Sequence, residues 1–170
     1  MSLGSMDALF LNELKDVYNA EKQIVKALPR MAKAANSDAL RDAFTKHLRE
    51  TEGHVRRLEQ IFKSLDLAPR GKTCKGMEGL LEEGKEILED DGAPEVIDAA
   101  LISAAQRVEH YEMAAYGCLR TYAQLLGRGD AAELLQQTLA EEEAADETLT
   151  ALGEGGINQA AMAAHGEEDA

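Results

Sequence analysis

Helical periodicity in four long stretches, separated by two short breaks and one long connection, limits the folds open to this chain. Apolar residues recur every three or four positions from about Ser5 to Ala34, from the turn Asn36-Ser37-Asp38 to about Leu65, from Pro94 to Gly127, and from Asp130 to about Gly153. Each short break forces the following helix to run back beside the one before it. We therefore predict two antiparallel helical hairpins.

The connection between the second and third helices is about thirty residues long. A structureless loop of that length is unusual in a compact domain. Its central segment, MEGLLEEGKEILED, has helical periodicity and is interpreted as a short crossover helix. Two hairpins joined by one long crossover make the ferritin-like arrangement. The sequence thus predicts an all-α, ferritin-like four-helix bundle.

The composition agrees with one helical domain. Ala, Leu and Glu dominate the 170 residues, whereas prolines number only 3. The bundle is predicted to cover residues 1–153. The Gly-, Ala- and acid-rich segment 154–170 is predicted to be a flexible acidic tail, mobile or loosely docked.

A formal net charge of -14 bears on the choice of partners. It argues against binding nucleic acid through a basic surface, and against docking to an anionic membrane. The sequence contains no apolar run of 18 residues, and its 2 cysteines form no CxxC motif. We expect a cytoplasmic protein.

Several acidic residues fall inside the apolar stripes of the predicted helices. Glu21 lies near the middle of the first stripe, and Glu112 has the same position in the third, with Glu109 at its margin. The fourth stripe contains Glu142 and Asp146. In the sequence, no Lys or Arg occupies the centre of these stripes, so the acids face inward without basic partners.

The second helix carries imidazoles in its apolar sector. In HLRETEGHVRRLEQ, His47 and His54 fall among apolar residues, and Glu50 lies at the edge of the sector beside them. Alone, each has an ordinary explanation: a hydrogen-bonded core histidine or a solvated edge acid. His47 is interpreted as supporting a ligand rather than binding metal, and His110 as a surface or dimer-contact residue.

Together, the inward acids predict bound cations. Burying an ionised carboxylate costs at least several kcal/mol, and neighbouring like charges add to that cost. Two divalent ions would offset most of the charge. Facing carboxylates of a helical bundle with an imidazole are typical of di-iron or di-manganese sites, whereas zinc favours thiolates or several histidines and calcium favours loop carbonyls. The expected cofactor is two iron ions, or manganese.

The chain also resembles a known bacterial family. The segments LNELKDVYNAEKQIVKALPRMA, HLRETEGHVRRLEQIF, KGMEGLLEEGKEIL, DAALISAAQRVEHYEMAAYG and LLQQTLAEEEAADETLTAL are similar to those of the YciF/YciE-type ferritin-like stress proteins. The resemblance extends from about Met6 to Leu152. It implies a ferritin-like fold, a homodimer and a metal centre, and it implies little about a reaction.

Resemblance to rubrerythrin-like sites of the same superfamily implies roles for particular residues. Such sites use an acid on the first helix, ExxH on the second, an acid on the third and ExxH on the fourth. The carried-over metal ligands are Glu21, Glu50, His54, Glu112, Glu142 and Asp146, with Glu109 as a candidate extra ligand. This chain departs from the motif because both spacings are one residue longer and because an aspartate stands where a second histidine is expected.

The sequence is compatible with three functions. The first is oxidation of Fe(II) by dioxygen or peroxide at a dinuclear centre bridged by Glu50 and Glu142, within a stress response. The second is a non-enzymatic, structural metal site in a dimeric stress protein. The third is an interaction module with a vestigial site whose inward acids are protonated or line a wet channel; a storage cage is disfavoured because the resemblance implies a dimer.

Overall fold

In a computed structural model that describes residues 3–164, every regular element is a helix. The elements in chain order are α1 (Met6–Ala34), α2 (Asp38–Ser64), α3 (Lys75–Leu88), α4 (Pro94–Leu125), α5 (Gly129–Leu152), a π-helix (Gly153–Ile157) and α6 (Asn158–Ala164). The all-α fold class is confirmed, and the crossover contains the helix that was predicted there.

The helices begin and end where the local chemistry favours it. The side chain of Ser5 accepts a hydrogen bond from the Ala8 amide at 3.1 Å and caps α1, and Ser37 caps α2 in the same way. Pro94 opens α4, where its missing amide proton costs nothing. Gly127 adopts a φ of 68° in the α4–α5 turn, a conformation that favours glycine.

The four long helices pack as a ring. α1 lies against α2 and α4 against α5 within the two hairpins, while α2–α5 and α1–α4 contacts join the hairpins to each other. The crossover helix α3 packs on α1 and α4. Each long helix therefore turns one face toward a common interior, as the ferritin-like arrangement requires.

A buried acid of α4 holds the first hairpin turn. The two carboxylate oxygens of Asp98 accept hydrogen bonds from the backbone amides of Asn36 and Ser37, at 2.8 and 2.7 Å. These amides lie at the start of α2, where helix geometry leaves backbone donors free. Asp98 thus ties the α1–α2 turn to the opposite hairpin.

The apolar interior consists of two clusters rather than one. On α4, for example, residues 101–108 belong to one cluster and residues 116–123 to the other. The same division occurs along α1, α2 and α5. Buried polar side chains occupy the level between the clusters, halfway along the bundle.

The segment after the predicted bundle boundary is helical as far as the structure describes it. The π-helix contains Gly156 at a φ of 153°, and α6 follows and packs against α4. Whether this segment is loosely docked stays a prediction. The rest of the predicted tail, residues 165–170, lies outside the described residues. None of the helices in residues 3–164 is long and apolar enough to cross a membrane.

Candidate metal centre

Six buried side chains, at least one from each long helix, meet between the two apolar clusters. They are Glu21 on α1, His47 and His54 on α2, Glu109 and Glu112 on α4, and Glu142 on α5. Five of them were predicted as ligands, whereas His47 was predicted only to support one. The sequence-derived convergence of acids from α1, α4 and α5 agrees with the geometry.

A three-residue group forms one half of this cluster. Glu21, His54 and Glu142 each offer a ligand atom, and these atoms lie within 4.8 Å of one another. His54 Nδ1 lies 3.4 Å from Glu21 Oε1 and 3.0 Å from Glu142 Oε1. Two carboxylates and one imidazole facing a common point form a donor set that first-row divalent metals accept.

A four-residue group forms the other half. His47, Glu109, Glu112 and Glu142 place their ligand atoms within 4.8 Å of one another. His47 Nε2 lies 3.3 Å from Glu109 Oε1 and 3.8 Å from Glu142 Oε2. This group has three carboxylates and one imidazole, again suited to a hard or borderline cation.

Glu142 belongs to both groups through different atoms. Its Oε1 faces His54 in the three-residue group, and its Oε2 faces His47 in the four-residue group. The ring centroids of His47 and His54 are 6.3 Å apart, and Glu142 is the residue that their two groups share. Glu142 therefore has the position of a bridging carboxylate, which could offer one oxygen to each of two ions.

Many polar atoms of the cluster are buried without a hydrogen-bond partner among residues 3–164. They are Glu21 Oε2, both ring nitrogens of His47, His54 Nδ1, Glu109 Oε2, and both carboxylate oxygens of Glu112 and of Glu142. A buried polar atom without a partner costs about 1–3 kcal/mol, and native proteins contain few of them. Their concentration at one place fits a site for cations.

Burial raises the pKa of the acids. Burial is the main reason that the pKa of Glu21 lies above its usual value and that of Glu112 lies well above it, and the charge of Glu142 adds to both effects. For Glu109, burial outweighs the opposing charge of His47 and raises the pKa to about 8. Metal binding would have to displace protons from these carboxyl groups.

The imidazoles have raised pKa values because anionic neighbours outweigh burial. Burial disfavours the charged form of His54, but Glu21 and Glu142 raise its pKa to about 11. Burial acts in the same way on His47, but the interaction with Glu50, one of whose oxygens lies 3.7 Å from Nδ1, together with the charges of Glu109 and Glu142 raises its pKa to about 9. In the metal-free cluster, protons thus supply the positive charge.

The outer nitrogen of His54 contacts Glu141, an acid outside both groups. His54 Nε2 lies 2.9 Å from Glu141 Oε2, and Arg57 donates to both oxygens of Glu141 at 2.8 and 2.6 Å. The hydrogen bonds from Arg57 are the first cause of a lowered Glu141 pKa, so this carboxylate is ionised and acts only as an acceptor. The Nε2 atom therefore carries a proton, and Nδ1 faces the cluster.

Tyr116 fixes one oxygen of Glu21. Its buried hydroxyl donates a hydrogen bond to Glu21 Oε1, and burial raises the pKa of Tyr116 well above the usual value. The hydroxyl thus stays protonated and keeps its donor role. The second oxygen, Glu21 Oε2, is left for another ligand.

The structure places Glu50 at the edge of the cluster and outside both groups. Its carboxylate is one-quarter exposed, with Lys46 Nζ 2.7 Å from one oxygen and His47 Nδ1 3.7 Å from the other. The interaction with His47 is the largest cause, ahead of Lys46, of a Glu50 pKa lowered to about 2. Glu50 is therefore ionised and in contact with both solvent and the cluster.

Asp146 also lies outside both groups. Gln106 donates a hydrogen bond to its Oδ1 at 3.1 Å, and His110 Nε2 lies 3.3 Å from its Oδ2. These partners belong to the outer side of α4, and the His110 side chain is exposed there. The expected histidine position is thus occupied by an acid that points away from the site.

The four long helices, the crossover helix and the inward carboxylates and imidazoles together define a ferritin-like helical bundle with a candidate metal centre. The chain belongs to the family described as Domain of unknown function (DUF892), whose model matches residues 5–162.

Relatives in this family agree with that assignment. The chain is 44% identical to the Escherichia coli K12 protein YciF over 162 residues, or 95% of this chain and 98% of that protein. The crystal structure of the E. coli stress protein YciF aligns with a TM-score of 0.88, covering 92% of this chain and 99% of that one. YcfI from Rhodopseudomonas palustris aligns at 41% identity with a TM-score of 0.85, covering 88% and 95%. The resemblance inferred from sequence is confirmed.

Proposed function

We propose that the chain binds two divalent metal ions, iron or manganese, halfway along the bundle in a cytoplasmic protein. The observation that carries the proposal is the position of Glu142, whose two oxygens face two different groups of potential ligands. The buried polar atoms around it, unpartnered within residues 3–164, independently support a cation site.

The charges of the buried cluster fit two ions. Glu21, Glu109, Glu112 and Glu142 together carry four negative charges when ionised, and two divalent ions supply four positive charges. Neutral imidazoles then complete each set through the nitrogen that faces inward. Leaving Glu50 and Asp146 outside improves the balance, because six inward acids would exceed the charge of two ions.

The donor set favours iron or manganese over other common metals. It combines carboxylate oxygens, which hard cations prefer, with one imidazole in each group, which borderline cations accept. Structural zinc is usually held by cysteines and histidines, and calcium by loop oxygens including backbone carbonyls. Ligands from four rigid helices match neither pattern.

The proposed activity is oxidation of Fe(II) or consumption of peroxide during stress. An iron pair bound here would supply electrons to dioxygen or peroxide. The protein's own contributions are to exclude bulk water by burial, to hold Glu21 through Tyr116, and to orient His54 through Glu141. Similarity to the E. coli stress protein supports the stress context. We also propose a homodimer, which sedimentation equilibrium of the native protein tests.

A second candidate function is purely structural metal binding. The candidate centre separates two apolar clusters and receives ligands from α1, α2, α4 and α5, so bound ions would join all four helices. In that case chelation lowers the thermal stability strongly, while the bound metal does not react with oxidants.

Glu142→Gln tests the dinuclear site against Glu143→Gln, an exposed neighbour on the same helix. Elemental analysis of protein reconstituted with Mn(II) is expected to give two ions per chain for the parent and for the control. The Glu142 variant should hold one ion or none, because both groups lose a shared ligand. A parent without bound metal, or a Glu142 variant with the parent's metal content, contradicts the proposal.

Anaerobic loading with Fe(II), followed by peroxide, separates the two functions. If the protein is an oxidoreductase, Fe(III) absorbance should appear faster than in a buffer blank, and the Glu142 variant should lose this acceleration. If the site is purely structural, Fe(III) should form at the rate of the buffer blank, and chelation should lower the melting temperature strongly.

A further inference from the structure

A small cavity connects the candidate metal centre with the surface on one side of the bundle. It measures about 30 Å³, lies between α2 and α5, and is lined in part by Lys46, His47, Glu50 and Glu109. Two of these residues, His47 and Glu109, belong to the four-residue group. A cavity of this size holds a water molecule or an ion that has shed part of its hydration shell.

His47 spans the distance between the cavity and the centre. Only 7% of its side chain is exposed, and neither ring nitrogen has a hydrogen-bond partner within the described part of the chain. One nitrogen lies 3.7 Å from Glu50 and the other lies 3.3 Å from Glu109. A buried, unpartnered imidazole thus faces the partly exposed carboxylate of Glu50 on one side and the ligand group on the other.

Two partly exposed carboxylates border the centre, Glu141 near His54 and Glu50 near His47, and their basic partners hold them with different strength. Near His54, Arg57 grips Glu141 through two hydrogen bonds at 2.6 and 2.8 Å. Near His47, a single contact of 2.7 Å joins Glu50 to Lys46, whose side chain is 67% exposed. An exposed ion pair of this kind is worth roughly 0–1 kcal/mol, so the Glu50 side opens far more readily.

We propose that Glu50 is a loading site for divalent cations on their way to the centre. A cation displaces Lys46, binds the ionised carboxylate of Glu50 at the mouth of the cavity, and passes inward to His47 and Glu109. This inference rests on the proposed metal-binding function. It assigns Glu50 a role in transit rather than the permanent bridging role that the sequence resemblance implied.

A transit residue has a kinetic signature that a permanent ligand lacks. If Glu50 contacts the ion only on the route, removing its charge slows uptake and release by the same factor and leaves the equilibrium constant unchanged. If Glu50 holds the ion in the final complex, removing it weakens the equilibrium affinity and speeds release. Stopped-flow kinetics therefore distinguish the two roles.

The experiment uses the full chain and Co(II), whose visible absorption reports coordination. For Glu50→Gln we expect uptake and release to slow by about tenfold each, at the lower end of the effect that local charge has on association rates. The dissociation constant and the two-ion stoichiometry should match the parent. Glu52→Gln, an exposed acid on the same helix, is the matched control and should keep the parent's rates.

Lys46→Ala provides an independent test that leaves Glu50 in place. Removing the competing ammonium should speed uptake and release equally, again with an unchanged dissociation constant. Parental rates in both variants, or a weaker affinity with faster release in Glu50→Gln, overturn the loading role while the proposed centre stands. A parent that takes up no Co(II) overturns the centre and the loading site together.

Discussion

His54 Nε2 lies 2.9 Å from a carboxylate oxygen of Glu141, and this contact determines which ring nitrogen faces the interior. Because Arg57 keeps Glu141 ionised, Nε2 keeps its proton, and Nδ1 is the nitrogen that faces Glu142 and Glu21 and becomes a metal ligand once it loses its own proton. Imidazoles that bind metals are commonly oriented by a carboxylate in this way. Glu141 is therefore a positioning residue for the proposed centre.

Glu141→Gln should weaken Mn(II) binding by about 10- to 100-fold while leaving two ions per chain at saturation. The amide is uncharged, so it holds the Nε2 proton less strongly and no longer fixes the ring. Titration calorimetry measures the change, and Glu143→Gln is the control because that side chain is exposed. Parental affinity in the Glu141 variant would show that the ring is held by other contacts.

Glu112→Leu should stabilise the metal-free protein and abolish full metal loading. Both carboxylate oxygens of Glu112 are buried without a partner among residues 3–164. A buried polar group without a partner costs about 1–3 kcal/mol of folding stability. Replacement by an apolar side chain of similar size removes this cost, which corresponds to a rise in melting temperature of roughly 2–4 °C per kcal/mol. Calorimetry with excess chelator measures it, and Glu147→Leu at an exposed position is the control. A lower melting temperature than the parent's would contradict the expectation.

The metal-free protein should lose stability as the pH rises. Glu109 has a folded-state pKa of about 8, above the usual value near 4.5, so the folded chain binds more protons than the unfolded chain between these limits. His47 and His54, with pKa values of about 9 and 11, act in the same direction above about pH 6.5. The loss therefore runs from about pH 5 to about pH 9 and continues toward 11. Glu50 has a lowered pKa of about 2, and its contribution disappears only in acid.

Metal should reverse this trend, because ions bind the deprotonated ligands. Melting temperatures at about pH 5.5, 7 and 8.5, with Mn(II) and with chelator, measure both effects. The increment due to metal is expected to grow with pH. A metal-free stability that rises over the same interval would contradict the protonation pattern of the cluster.

Asp98→Ala should destabilise the fold without changing metal content. The substitution leaves two backbone amides of the α1–α2 turn without their charged acceptor, at a cost of about 3 kcal/mol. Asp98 precedes Glu109 by eleven residues of α4, or roughly 16 Å of helix, so the centre should remain intact. Urea denaturation gives the stability, and exposed Asp42→Ala is the control. Equal midpoints for the two variants would show that the turn does not depend on the contact.

The angular position of each residue around its own helix, the helical phase, was sufficient to predict the fold and most of the cluster. Glu21, Glu112 and Glu142 each lie among apolar residues of their own helix, and the structure buries all three. A single helical wheel shows which residues face inward, and the inward faces of four packed helices must meet. The convergence therefore followed from sequence without knowledge of tertiary contacts.

Phase was less informative at the margins of the stripes. His47 and His54 are seven residues apart, about 20° around the helix, so both face the cluster, whereas Glu50 lies about 60° from His47. This seven-residue spacing was the signal that could have placed His47 inside the centre. Thr51 stands three residues before His54, where the ExxH motif of rubrerythrin-like sites would place glutamate, and its hydroxyl donates to the His47 carbonyl.

Asp146 and Glu141 depended on contacts that a single helix cannot reveal. Asp146 follows Glu142 by four residues, about 40° further around α5, and that rotation brings it to Gln106 on α4. Glu141 accepts hydrogen bonds from Arg57 on α2, and this contact exists only because α2 and α5 pack together.

The division of the apolar interior into two clusters has a consequence for motion. Hydrocarbon contacts hold each end of the bundle, while the level between them consists of buried acids and imidazoles, whose charges only protons balance when no metal ion is bound. Backbone amides at the level between the clusters should then exchange with solvent faster than those at the ends of the bundle. The concentration of available cations should determine how large this difference in exchange rate is. If the proposed ions bind at this level, the stiffness of the whole bundle depends on a small solute that the surrounding medium provides.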